Sequence, residues 1–199
     1  MKRGCILMAA GAATRFGGGN KLLADFLGQP VYTHALSAIP HECFEGVAVV
    51  SGEPVILDAA KARGFLPVLN DTPFEGASRT VALGIRALPD ADALLFMVAD
   101  QPCLRMDTVR ALLAFANEHP DSIVRLRCGD QIGNPVLFPR AYFDALLSLK
   151  GDEGGGRVCR EHPEALSYFD IENASELSDV DSRDALLSLA ASQAKPSLK

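Results

Sequence analysis

Short apolar runs recur along this chain, and a segment of helical character follows most of them. That alternation restricts the available folds more than any other feature. Residues 4–9, 46–51 ("GVAVVS"), 65–70 ("FLPVLN") and 93–99 ("ALLFMVA") are apolar nearly throughout, as suits strands covered on both faces. Residues 31–39 read as a helix closed by Pro40, 55–63 as one ended by Gly64, and 78–88 as one stopped by Pro89. Residues 107–118 read as a fourth helix with Asp107 as its N-cap. Strands and helices alternating at this spacing predict an α/β fold built on a mostly parallel, doubly wound sheet. The last third is less regular. "NPVLFP" (134–139) and "ALSYFDI" (165–171) read as strands, with helices over 140–149 and 181–190. A length of 199 residues suits one domain, drawn here over 1–192 with a tail at 193–199.

The first strand runs into "AAGAATRFGGGNKLL", where small residues are followed by Arg15, three glycines and Lys21. In open α/β sheets ligands bind beyond the carboxyl ends of strands. Small residues there let backbone N–H groups approach a phosphate, and two cations complement it. Two familiar loops do not match. Leu22 stands where a dinucleotide GxGxxG loop needs its last small residue, and also where an ATP-binding GxxxxGK[ST] loop needs a hydroxyl. A secretion signal would use Lys2, Arg3 and the run after them, but it leaves "RFGGGNK" without a role. "VADQP" puts Asp100 at the tip of an apolar strand, where a carboxylate faces the ligand crevice and can hold Mg²⁺.

The net charge of −6 and the absence of a basic block argue against a nucleic-acid partner. No run of about 18 apolar residues predicts a membrane span. The five cysteines, Cys5, Cys43, Cys103, Cys128 and Cys159, include no CxxC pair. They read as buried thiols in a reducing, cytoplasmic setting rather than as zinc ligands or a disulfide framework. His34, His41, His119 and His162 form no metal-binding pattern and read as structural or solvent-facing.

The loop A-A-G-x-x-x-R-x-G-x-x-x-K after a strand resembles the nucleotidyltransferase superfamily. That superfamily includes molybdenum cofactor guanylyl- and cytidylyltransferases, sugar-phosphate nucleotidyltransferases and methylerythritol cytidylyltransferase. "NDTPFEGASRTVALGI" (70–85) resembles its base- and ribose-contacting stretch, with Thr80 where serine is usual. "GNPVLF", "LKGDEGGGR" and "SDVDSRDAL" resemble its later motifs, with an extra glycine in the second. Together they identify the chain as similar to the MocA-like molybdenum cofactor cytidylyltransferases. Ala-Ala-Gly in the loop and Asp-Gln-Pro after the metal strand follow the cytidylyl rather than the guanylyl pattern.

The resemblance implies a Rossmann-like nucleotidyltransferase fold and transfer of CMP from CTP to molybdopterin cofactor. It further implies Mg²⁺, or Mn²⁺ in its place, and a molybdenum hydroxylase as the protein that receives the product. It gives Arg15, Lys21 and Asp100 catalytic roles and makes Asp100 and Asp181 metal ligands, with Asp179 the weaker candidate. Ala9, Ala10, Gly11, Arg15, Gly17, Lys21, Asn70, Gly76, Ser78 and Thr80 would bind nucleotide. Asn134, Pro135, Asp152 and Arg157 would face the acceptor. A phosphate nucleophile is already ionised at neutral pH, so positioning and charge neutralisation would suffice. Two alternatives stay open. One is nucleotidyl transfer, from CTP or GTP, to another phosphorylated acceptor such as a sugar phosphate. The other is a non-catalytic nucleotide-binding accessory to a molybdenum hydroxylase.

Overall fold

The computed structural model describes residues 1–10, 16 and 19–193. Strand β1 (Arg3–Ala9) is followed by the short pair β2 (Asp25–Phe26) and β3 (Gln29–Pro30), then helix α1 (Val31–Ser37). Next come β4 (Gly46–Ser51), α2 (Pro54–Ala62), β5 (Leu66–Leu69), α3 (Ala77–Ala87), β6 (Ala93–Val98) and α4 (Met106–Glu118). The remainder is β7 (Ile123–Cys128), β8 (Gln131–Pro139), α5 (Phe143–Leu147), α6 (Gly155–Glu161), β9 (Leu166–Asp170) and α7 (Arg183–Gln193).

Seven strands form one sheet in the order β5-β4-β1-β6-β8-β7-β9. Pairing is parallel from β5 to β6 and again between β7 and β9, while β8 runs antiparallel to both its neighbours. The apolar run that opens the chain is therefore a central strand, paired on both sides. Its alternation divides the core. Cys5, Leu7 and Ala9 pack under α1, α2, α4 and α7, whereas Ile6 packs under α3, α5 and α6. Helix α3 lies so close to β1 that a Cβ on Gly84 would stand 2.5 Å from Ile6. Strand order reverses between β1 and β6, and that switch point opens the crevice.

Several sequence expectations change. Asp107 lies inside the first turn of α4 and is not its cap; Arg105 holds that place. Helix α3 starts one residue before the expected 78, at Ala77, and Gly76 precedes it. The helix expected over 140–149 is a 3-10 turn, Arg140–Tyr142, followed by the short α5. Helix α7 starts later than expected and reaches Gln193. Cys43 is exposed rather than buried. Strand β7, "IVRLRC", was not expected, because Arg125 and Arg127 interrupt its apolar pattern.

Candidate active site

Beyond β1 the chain reaches Ala10, 9 % exposed, and then residues 11–15 and 17–18, which lie outside the described set. Gly11, Arg15 and Gly17 fall there. Phe16 returns to the core, and Leu22 is buried beside it. Between them Asn20 accepts a hydrogen bond from the Leu22 N–H (2.9 Å) and donates to Glu53 (2.9 Å). That cap fixes a single 3-10 turn, Lys21–Leu23, and points Lys21 across the crevice.

The Lys21 ammonium donates to Asp100 (2.6 Å) and to Asp181 (3.0 Å). Burial by itself lowers the Lys21 pKa, but the two carboxylates outweigh it and raise the value. Asp100 lies two residues past the end of β6. Asp181 comes from far along the chain, brought by a strap that packs on the turn after β6. The Val180 N–H donates to the Asp100 carbonyl (2.9 Å), the Gln101 amide donates to the Leu177 carbonyl (3.3 Å), and buried Glu176 accepts from the Arg105 N–H (3.1 Å). Val180 is fully buried and anchors the strap. Ser182, not Asp181, caps α7, through the Ala185 N–H (3.1 Å). Asp181 is therefore left free of a capping role. Asp179 retains contact with solvent, yet the protein packed around its carboxyl, with Asp100 and Asp181 nearby, pushes its pKa up to about 6.

Beside this cluster lies a cavity of about 550 Å³, lined by Met8, Ala10, Pro73, Phe74, Gly76 and Val98, and by Lys21, Thr80, Asp100 and Asp152. Its volume is in the range of small-molecule sites. Asn70, fully buried, donates to the Thr80 hydroxyl (3.1 Å) and accepts from the Thr72 N–H and the Arg79 Nε (3.2 Å each), so it fixes one wall without facing the cavity. The opposite lip is set by contact between two glycine turns. The Ser78 N–H donates to the Gly151 carbonyl (3.0 Å), and a Cβ on Gly76 would overlap the backbone of Gly151. Gly76 also has φ +91°, where side chains are strained. This contact carries Asp152 onto the rim.

Of the residues picked from sequence, Ala10, Lys21, Gly76, Thr80, Asp100 and Asp152 share the cavity, and Asp181 adjoins it through Lys21. Ala9, Asn70 and Ser78 support its walls. Asp152, expected toward the acceptor, lines the same space as the nucleotide candidates. Asn134, Pro135 and Arg157 do not line it. Arg157 is instead paired with Glu153 (2.6 Å) and Glu161 (2.8 Å) along α6. Phe74, 80 % exposed on the rim, was not singled out, although an aromatic in a Pro- and Gly-bounded loop was the available signal.

No group of three His, Cys, Asp or Glu side chains suited to a metal occurs among the described residues. The carboxylates of Asp100 and Asp181 nevertheless converge on one cationic point, now filled by the Lys21 ammonium. Mg²⁺ favours one or two carboxylates completed by phosphate and water oxygens, and this donor set fits that preference.

The family model described as MobA-like NTP transferase domain matches residues 5–166. The chain is 28% identical over 189 residues to "Purine catabolism protein PucB" of Bacillus subtilis, covering 88% of this chain and 90% of that protein. It is 31% identical over 160 residues to a molybdenum cofactor guanylyltransferase of Mesorhizobium japonicum, covering 77% and 74%. The solved structure of Rv0371c from Mycobacterium tuberculosis superposes with a TM-score of 0.80 at 21% identity, covering 96% and 98%; another structure of that protein, a complex with manganese, gives 0.76.

Proposed function

This chain belongs to the MobA-like NTP transferase family, and on that premise we propose that it transfers CMP from CTP to molybdopterin cofactor, releasing pyrophosphate. The observation that carries the reading is the meeting of Lys21, Asp100 and Asp181 at one end of a nucleotide-sized cavity, directly beyond β1. A terminal phosphate oxygen of the acceptor attacks the α-phosphorus of CTP, and the bond to the pyrophosphate oxygen breaks. The nucleophile is ionised before it arrives, so no general base is required, and no histidine lines the cavity. Lys21 moves from its carboxylates to the α-phosphate and neutralises charge developing there. Arg15 takes the β- and γ-phosphates, and Thr80, held by Asn70, meets the ribose or base. Asp100 and Asp181 would hold Mg²⁺ or Mn²⁺, which supplies positive charge to the phosphate oxygens. Asn134 and Pro135 stand on the acceptor side. Residues 1–192 act as one domain, and the chain works in the cytoplasm, handing its product to a molybdenum hydroxylase.

Asp-Gln-Pro and Ala-Ala-Gly favour CTP, whereas the Mesorhizobium relative is named for guanylyl transfer. A pyrophosphate-release assay with each NTP, against molybdopterin and a panel of phosphorylated acceptors, decides between them. Turnover with CTP and molybdopterin is expected. Turnover with GTP alone, or with a sugar phosphate alone, overturns the specificity, and binding of nucleotide without any turnover favours the accessory-protein reading.

A further inference from the structure

The glycine lip of the cavity carries two side chains that the transfer step does not use, Phe74 and Asp152. Of ten phenylalanines and three tyrosines, Phe74 alone is exposed. Its ring is presented by a braced turn. Pro73–Glu75 form a 3-10 turn, closed by the Glu75 N–H on the Thr72 carbonyl (3.0 Å) and the Gly76 N–H on the Pro73 carbonyl (3.3 Å). Arg79 ties the two flanks of that turn together, donating to Asn70 (3.2 Å), Asp71 (2.7 Å) and Glu75 (3.2 Å). An aromatic ring held out to water on the wall of a cavity is a surface for a flat ligand.

Asp152 joins the same rim. Its backbone N lies 2.7 Å from where a Cβ on Gly76 would stand, so it meets the lip only two residues from Phe74. Two carboxylates line the cavity. Asp100 is engaged by Lys21 at 2.6 Å, whereas Asp152 is exposed and accepts no hydrogen bond among the described residues. The two oxygens of a carboxylate match a pair of adjacent N–H donors lying in one plane. The 2-amino-4-oxo edge shared by pterin and guanine presents such a pair. Cytosine sets its amino group beside an unprotonated ring nitrogen, so it offers one donor and a repelling lone pair. With CTP as the nucleotide, the ring that fits this rim is the acceptor's.

We propose that Phe74 and Asp152 seat a flat ring with a 2-amino-4-oxo edge, stacked on Phe74 and bound through its two N–H groups by Asp152. The inference rests on the transfer reading above and adds to it the residues that recognise the acceptor's pterin. Full-length protein, which contains no tryptophan to interfere, is titrated with free pterin and followed by pterin fluorescence. Lumazine, with oxygen in place of the 2-amino group, is the comparison, and GTP and CTP are titrated by calorimetry. Pterin fluorescence should be quenched, and pterin should bind wild type about tenfold or more tighter than lumazine, as a charge-assisted hydrogen bond implies. D152N should lose that preference. F74A should weaken both rings about tenfold, as loss of a stacking partner implies. Both positions are at the surface, so melting temperatures should hold; F74L, which keeps apolar bulk without the aromatic face, replaces F74A if that variant melts early. If the variants lose GTP affinity while pterin binding is unmoved, the seat stands and its ring is the guanine of the nucleotide. A pterin preference that survives D152N overturns the seat. So does wild type that fails to prefer pterin over lumazine while GTP affinity stays unchanged in the folded variants. Pyrophosphate release from CTP with molybdopterin reads the transfer reaction separately: its absence in wild type overturns that reading and leaves the ring-binding result standing.

Discussion

Replacing Lys21 with alanine separates chemistry from folding. The ammonium lies 2.6 Å from Asp100, whose side chain is 21 % exposed, and 3.0 Å from Asp181, 66 % exposed. With an effective dielectric constant of about 20, the first contact is worth about 6 kcal/mol of gross attraction; in water the second is worth about 1 kcal/mol. Desolvation of the buried partners offsets most of that sum, so the net effect on folding is a melting shift of only a few degrees. Catalysis should suffer more. A cation lost from developing phosphate charge costs about 3 kcal/mol or more, a fall in turnover of at least ~100-fold. Pyrophosphate release measures the second effect and thermal melting the first. A third readout needs no turnover: Asp100 and Asp181, without their ammonium, should bind free Mg²⁺ or Mn²⁺ more tightly, seen as a larger metal-dependent rise in melting temperature. A folded Lys21→Ala protein that turns over within about threefold of wild type, where loss of such a cation calls for ~100-fold, would falsify the role assigned to Lys21. A metal response no larger than wild type would remove the shared cationic point from the argument.

Asp100→Asn should abolish nucleotide-dependent metal binding in calorimetric titration, whereas the more exposed Asp181→Asn should weaken it less; equal losses would contradict the ranking. Gly76→Ala introduces a Cβ against the Gly151 backbone at φ +91°, so it should cost about 1–3 kcal/mol of stability and weaken CTP binding together. Loss of stability with intact CTP affinity would detach the glycine lip from the site. Asp170 is held below the ordinary carboxylate range by its hydrogen bonds from Arg127. Its contribution is present above the unfolded aspartate value of about 3.9 and disappears as pH falls through the lower folded value. Wild type should therefore out-melt Asp170→Asn near neutrality and lose that advantage in acid; an advantage that persists unchanged in acid would disprove the linkage.

The fold was largely legible because the strands at its centre are buried on both faces. Such strands must be apolar throughout, and the runs at 4–9, 46–51 and 93–99 announce themselves without tertiary information. The same reading missed β7, because Arg125 and Arg127 interrupt its apolar run. That Lys21 and Asp100 face one crevice was legible as well, since Lys21 closes the small-residue loop after the first strand and Asp100 follows another apolar strand, both at the carboxyl edge. Local pattern could not say whether Asp181 was a helix cap or would meet Lys21. That depended on Ser182 taking the cap and on Val180 tying the strap to Asp100, a contact across some eighty positions of sequence. Nor could it place Asp152 on the cavity rim, which follows from two glycine turns packed backbone to backbone. Sequence determined which segments had to be buried, because burial is a property of each run. Only the tertiary structure decided which charges meet, because that depends on how distant segments are drawn together.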